Sequence, residues 1–278
     1  MVNSSRAVLI GKLIHFIGFF SPLLAAKIIG YFFSRPKKVM PSPQQEQCLI
    51  KAQKLTVQLN GDVIQVYRWQ GNGPKIWFAH GWKSNSGRWN PFIDILTKRG
   101  YDIYALDAPR HGHSTSKIFS PFLYAQWIDC CIRKYGGDIL VGHSAGGYAS
   151  MYGYHKYRFP VKYIVVMAPT FDMRQPITTM FEMLNLSQRI RLAFIRYFET
   201  SLGETLDDIV ATHLVKDFDI DGLIIHDTTD NVIPVDGSHH IHKAWSKSEL
   251  SITTGYGHRL QHKIPIQSIV THIMQHNK

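Results

Sequence analysis

Residues 139–148 read Ile139-Leu140-Val141-Gly142-His143-Ser144-Ala145-Gly146-Gly147-Tyr148. A wholly apolar run of three ends in a serine flanked on both sides by glycine, and a helix-compatible segment, Ala145 to Tyr157, follows. A run this short and unbroken suits a strand buried on both faces. A serine on a sharp turn between strand and helix needs small neighbours, because the strained backbone and the next strand leave no room for side chains. Gly142 and Gly146 meet that need, and the turn aims the Ala145 amide, at a helix N-terminus, toward a developing negative charge. These residues therefore predict a nucleophilic serine, Ser144, with Ala145 as one oxyanion donor.

The pattern repeats outward. Apolar runs recur at Ile76–Ala79, Ile103–Leu106, Tyr163–Met167, Leu223–Ile225 and Leu250–Thr253. Between several of them lie stretches long enough for right-handed helical crossovers, Ser84–Lys98 and Pro121–Lys134 among them. The alternation predicts an α/β fold. It opens with a hairpin, since the alternating runs Lys54–Leu59 and Val63–Trp69 flank Asn60-Gly61, a dipeptide suited to a tight turn. The gap from Pro169 to Asp219 exceeds a simple crossover; with Met173, Met180, Phe181 and the helical stretch Ser187–Phe198 it reads as a small helical cap at about residues 170–218.

The 278 residues fit one large domain, and 45% hydrophobic with 18% charged residues suits a packed globular enzyme. A formal charge of +11 attracts anions. Nucleic acid is not expected as a partner, because Lys and Arg are scattered and the aromatics sit in strand-like runs. Three cysteines, Cys48, Cys130 and Cys131, exclude a disulfide scaffold and make a cytoplasmic setting the default.

Residues 1–40 form a separate apolar segment. From Ala7 to Phe33 it is interrupted only by Lys12, His15, Lys27 and a few small polar residues, and the basic cluster Arg35-Pro36-Lys37-Lys38 follows. The stretch free of Lys and Arg, Leu13–Ala26, falls short of the roughly 18 to 20 residues of a spanning helix. Ser21-Pro22 reads as an N-cap with a first helical turn, which predicts two short helices. No Ala-x-Ala site marks a signal peptide. Packing on the catalytic body, 41–278, and contact with a membrane surface, the inner membrane included, stay open. Pro41–Gln47 reads as a linker.

From about Lys54 to the C-terminus the chain resembles the α/β-hydrolase superfamily, a mostly parallel central sheet flanked by helices. Besides the Ser144 turn, His80-Gly81-Trp82 is similar to its oxyanion-loop motif, which implies the Trp82 amide as second donor. Asp107-Ala108-Pro109-Arg110-His111-Gly112-His113-Ser114 resembles its Asp-x-Pro-Gly-His-Gly-x-Ser segment, with Arg110 in place of the usual glycine. More narrowly, the chain resembles bacterial hydrolases of this fold that begin with an apolar helix ending in a proline and basic cluster. A serine hydroxyl needs a base, and the base an orienting group. The resemblance implies His258, in Gly255-Tyr256-Gly257-His258 after the last run, as base. It implies Asp230, in Asp230-Asn231-Val232-Ile233-Pro234, as the acid, with Asp227 as competitor. The expected activity is hydrolysis of an ester or thioester of an apolar acyl group, a small-molecule substrate, without cofactor or metal. His239, His240 and His242 lack spaced carboxylate or cysteine partners, and His80 and His113 read as loop-shaping residues. The rival readings are amide or carbon–carbon bond hydrolysis and a catalytically silent binding module of the same fold.

Overall fold

A computed structural model describes residues 4–276. In chain order the elements are α1 (Ser4–Phe20), α2 (Pro22–Phe33), α3 (Pro43–Leu49), β1 (Gln53–Leu59), β2 (Asp62–Trp69), β3 (Lys75–Ala79), α4 (Asn90–Thr97), β4 (Asp102–Leu106), α5 (Pro121–Tyr135), β5 (Ile139–His143), α6 (Ala145–Tyr157), β6 (Tyr163–Met167), α7 (Arg174–Met183), α8 (Gln188–Leu202), α9 (Ala211–Val215), β7 (Asp221–Asp227), α10 (Asp236–Ala244), β8 (Ser248–Thr253) and α11 (Lys263–Gln275). The sheet order is β1-β2-β4-β3-β5-β6-β7-β8. β1 and β2 pair antiparallel, as do β2 and β4, and every pairing from β4 to β8 is parallel. This is the α/β-hydrolase architecture.

The Asn60-Gly61 hairpin forms with both residues at positive φ, 52° and 83°, as a two-residue turn that matches strand twist requires. Central strands have both faces covered. Trp77, Leu140, Ile164 and Ile224 point into one core, whereas their neighbours Phe78, Val141, Val165 and Ile225 point into the other. The first core is closed by α5 and α6, the second by α4 and α11. Full burial of such side chains supplies about 1.5–3 kcal/mol each, which keeps the strand ends rigid.

At the N-terminus Ser21 caps α2, its Oγ accepting from the Leu24 amide at 3.2 Å, with Pro22 in the first turn. The supposed linker at 41–47 is instead helical from Pro43 onward. Ser42 and Gln45 form a reciprocal capping box that starts α3, which buries Cys48 and Leu49. The chain before it is stitched to the body. Phe119 N–H donates to Ser34 O at 2.7 Å, Lys38 Nζ to Ser114 O at 3.0 Å, and Arg110 Nε to Pro36 O at 3.1 Å. Arg110 itself sits at φ 61°, the left-handed conformation in which the resemblance places a glycine. Its side chain also donates to Lys117 O at 2.9 Å, so hydrogen bonds offset the backbone strain and the loop keeps its turn. Between β6 and β7 the chain forms α7, α8 and α9. Met173, Met180 and Phe181 are buried there, so packing accounts for their apolar character.

Candidate active site

Ser144 follows β5, a central strand, at φ 54° and ψ −120°, outside the regions that L-residues favour. Surrounding structure holds it there: Ser144 N–H donates to Met167 O on β6 at 2.8 Å, and Tyr148 N–H returns to Ser144 O at 3.0 Å. The flanking glycines are sterically required. A Cβ on Gly146 would lie 2.2 Å from Ala79 O and 2.6 Å from His80 O, and one on Gly142 would lie 2.6 Å from Gly146 O.

His258 and Asp230 come from the loops after β8 and β7. Ser144 Oγ lies 3.1 Å from His258 Nε2, and His258 Nδ1 lies 2.7 Å from Asp230 Oδ2. A carboxylate can only accept, so Nδ1 carries the imidazole proton and Nε2 is free to accept from the serine hydroxyl. The Asp230 side chain is buried. Its Oδ1 accepts from the Val232 and Ile233 amides at 2.8 and 3.0 Å, and Oδ2 also accepts from His226 Nε2 at 3.0 Å. Burial alone would raise its pKa, but the bonds from His226, His258 and the two amides hold it well below the usual carboxylate range. It is a fixed anion.

Asp227, the competing acid, does something else. Its Oδ1 accepts from the Thr229, Gly255 and Gly257 amides and from Thr229 Oγ1. Its Oδ2 accepts from Thr253 Oγ1 and the Tyr256 amide. It ties down the loop that carries His258, and despite burial these bonds depress its pKa as well.

The loop after β3 completes the frame. A Cβ on Gly81 would lie 3.1 Å from Ser144 Cβ, so the backbone leading to Trp82 runs directly over the serine. Among the described residues neither the Trp82 nor the Ala145 amide donates to a protein acceptor. Ala145 opens α6, where the first amides have no intrahelical partner. The β3 and β4 loops are cross-linked beneath. Ala108 N–H donates to His80 Nε2 at 2.9 Å, Lys83 N–H to His111 Nε2 at 2.9 Å, and Ser86 N–H to Asp107 Oδ1 at 2.8 Å. His113 Nδ1 bonds Tyr67 Oη at 2.6 Å. Burial pushes His111 down to about 4 and His80 well below its ordinary value, so both stay neutral near neutrality.

Residues not anticipated from the sequence stand behind the histidine. The wholly buried His143 donates from Nε2 to His258 O at 2.8 Å and accepts at Nδ1 from Arg88 Nη1. Arg88, also buried, donates to Arg259 O at 3.0 Å, and Gln261 Nε2 donates to Arg88 O at 2.8 Å. Burial, with the nearby Arg259, lowers the Arg88 guanidinium to about 9. Arg88 is distant from Ser144 in sequence, so no local motif marks it. The signal for His143 was its place inside the glycine–serine turn. His239, His240 and His242 fall on α10, where His242 Nδ1 bonds Ser248 Oγ at 2.9 Å. No cluster of three or more metal-ligating side chains occurs among the described residues.

The profile of the family described as serine aminopeptidase, S33, matches residues 72–212, just over half of the chain and including Ser144. Asp230 and His258 lie beyond the match. An esterase of Mycobacterium tuberculosis is 34% identical over 89 residues, 30% of this chain and 29% of the relative. An (E)-2-((N-methylformamido)methylene)succinate hydrolase of Acinetobacter baylyi is 33% identical over 95 residues, 33% of this chain and 36% of the relative. The chain thus spans about a third of the length of these curated relatives. Among solved structures, Est1E from Butyrivibrio proteoclasticus with bound ferulic acid aligns with a TM-score of 0.64 at 17% identity, over 80% of this chain and 98% of that one. At that identity it speaks for the fold alone.

Proposed function

Because the chain belongs to the serine aminopeptidase S33 family of α/β hydrolases, we propose that it is a serine hydrolase that cleaves carboxylic esters or thioesters through Ser144, His258 and Asp230. The observation that carries this reading is the continuous relay from Ser144 Oγ through both nitrogens of His258 to a buried, ionised Asp230.

Ser144 Oγ attacks the acyl carbon while its proton passes to His258 Nε2, and Asp230 stabilises the imidazolium through Nδ1–H. The Trp82 and Ala145 amides stabilise the oxyanion of the tetrahedral intermediate. Collapse expels the alcohol or thiol, which takes the proton from Nε2 and leaves an acyl-serine. Water, deprotonated by the same nitrogen, then attacks the ester carbonyl, and Ser144 Oγ recovers the proton as the carboxylic acid departs. No step calls for a cofactor.

The family description favours a second reading, release of an amino-terminal residue from a peptide. That substrate carries an ammonium group and needs a free carboxylate near the serine. Asp227 and Asp230 are both saturated with hydrogen bonds, whereas Lys83 Nζ lies 4.3 Å above the Trp82 ring and Arg259 adjoins His258. Lys83 disfavours an ammonium on the Trp82 side, and the exposed Asp236, which lines one cleft with Asp230, is the carboxylate left to receive one. Phe33 and the half-exposed Trp82, 6.4 Å apart between ring centroids, give the mouth an apolar wall. A panel of matched esters, thioesters and aminoacyl amides tests the choice. Turnover of the first two that is lost in Ser144→Ala supports the proposal, and turnover confined to aminoacyl amides overturns it.

A further inference from the structure

The first two helices break a rule of soluble folds. A helix apolar on all sides is ordinarily buried all round, but α1 buries only one stripe. Gly11 and Gly18 lie on that stripe with Ile14. A Cβ on Gly11 would be 2.1 Å from Leu184 O, and one on Gly18 would be 2.5 Å from Ile190. His15 Nε2 accepts from the Ser187 amide at 3.1 Å, and α2 adds buried Ala25, Ala26 and Ile29. The hairpin is thus seated on α8 and the turn that precedes it, with a defined outer face.

That outer face is also apolar. Leu9, Leu13, Phe16 and Phe20 recur at helical spacing opposite the packed stripe and are 60–71% exposed. On α2, Leu24 and Phe32 are likewise exposed, at 51% and 66%. Contiguous exposed apolar surface of this kind marks an interaction site. Its charge is one-sided: Lys12, Lys27, Arg35, Lys37 and Lys38 all precede the first acidic residue of the chain, Glu46. Lys12 and Lys27 are exposed, and their long stems can lie along the patch with the ammonium groups at its edge.

We propose that the outer face of the α1–α2 hairpin docks in the plane of an anionic lipid bilayer. A second copy of the chain would bring two such cationic surfaces together across a symmetric interface, which repulsion opposes. Spanning does not fit either: among the described residues no helix is long and apolar enough to cross a membrane, and Ser21-Pro22 breaks the apolar stretch into two. Lying flat lets the apolar side chains enter the acyl boundary while the cations meet phosphate headgroups. This inference needs no catalysis and stands apart from the proposed reaction. Phe33, at the end of α2, touches Trp82, so a docked hairpin holds the mouth of the Ser144 site beside the lipid surface.

The test is flotation of the full chain with phosphatidylcholine vesicles, with and without phosphatidylglycerol. Ser144→Ala serves as the protein, so that binding is read without turnover. The expected result is partition into the anionic vesicles only, weakened by salt. Phe16→Gln with Phe20→Gln should weaken it about a hundredfold. Lys12→Gln with Lys27→Gln should weaken it about thirtyfold. All four positions are exposed, and an unchanged circular dichroism melt confirms that the variants fold. Equal binding to both vesicle types, no binding, or binding untouched by the phenylalanine variants would overturn the proposal. So would a lipid-independent dimer, seen by sedimentation, that the phenylalanine variants dissolve.

Discussion

Replacing Asp230 by asparagine separates the two candidate acids. The carboxylate receives two amide donors on Oδ1 and two imidazole donors on Oδ2. A carboxamide of the same shape keeps its oxygen on the Val232 and Ile233 amides, which leaves its NH2 group facing His226 and His258. Donor then meets donor 2.7 Å away, and His258 escapes by moving its proton to Nε2, where it points at Ser144 and cannot accept. Loss of the charge-assisted bond costs about 3 kcal/mol. The wrong tautomer and the unstabilised imidazolium bring the total to about 5 to 6 kcal/mol, or roughly ten-thousandfold in rate. Asp227→Asn should behave differently. One or two of its loop bonds weaken, so melting falls by about 2 kcal/mol in stability, while the tautomer survives and the rate drops no more than about tenfold. The assay is the second-order rate of labelling by a fluorophosphonate, followed by intact mass, beside a thermal melt. Labelling of Asp230→Asn within tenfold of wild type, or a larger kinetic loss in Asp227→Asn, would refute the assignment of the acid.

Other consequences follow from the same geometry. Gly146→Ala forces the end of β3 away by about 1 Å to relieve the 2.2 Å contact with Ala79 O, so labelling should slow about a hundredfold with a lower melting temperature; wild-type behaviour in both would show that the loop is slack. Burial keeps His80, His111 and His143 neutral, with folded pKa values below the unfolded value, so the unfolded chain binds more protons as pH falls and stability must decline below about pH 6.5. His111 alone contributes a loss of about 2 kcal/mol by pH 5, readable as a lower urea midpoint, and a flat profile from pH 7 to 5 would contradict it. The depressed Asp227 and Asp230 contribute stability that is present above about pH 4 and is lost in stronger acid. Arg88→Met removes a buried cation that has no carboxylate partner among the described residues, so the melt should change little, while the loosened His143 and Arg259 contacts slow labelling about tenfold; a collapsed fold with unchanged kinetics in the folded fraction would reverse that assignment.

The fold was legible because its causes are local. Runs such as Tyr163–Met167 are apolar throughout because both faces of those strands are covered, and Asn60-Gly61 can adopt the two positive φ values of the turn it occupies. The glycines around Ser144 were readable from the tight turn itself; Gly142 answers a demand within a few residues, although Gly146 also makes room for the distant end of β3 at Ala79 and His80. What escaped depends on contacts between distant segments. Arg88 meets His143 and the Arg259 carbonyl only once β3, β5 and the last loop converge. Asp227, at the end of β7, and Asp230, in the loop that follows, lie three residues apart, so sequence position alone left both open until their hydrogen bonds separated a loop anchor from a partner of His258. The helix α3 was missed despite a readable signal, because Pro41 and Pro43 suggested extended chain while the Ser42–Gln45 capping box used the second proline as its first turn.

The claim on which the proposed function rests is that Ser144 is an activated nucleophile. Intact mass after exposure to a fluorophosphonate tests it most directly. The account predicts a single adduct on the wild-type chain and none on Ser144→Ala; an unlabelled wild type, or an adduct that persists in Ser144→Ala, would contradict it.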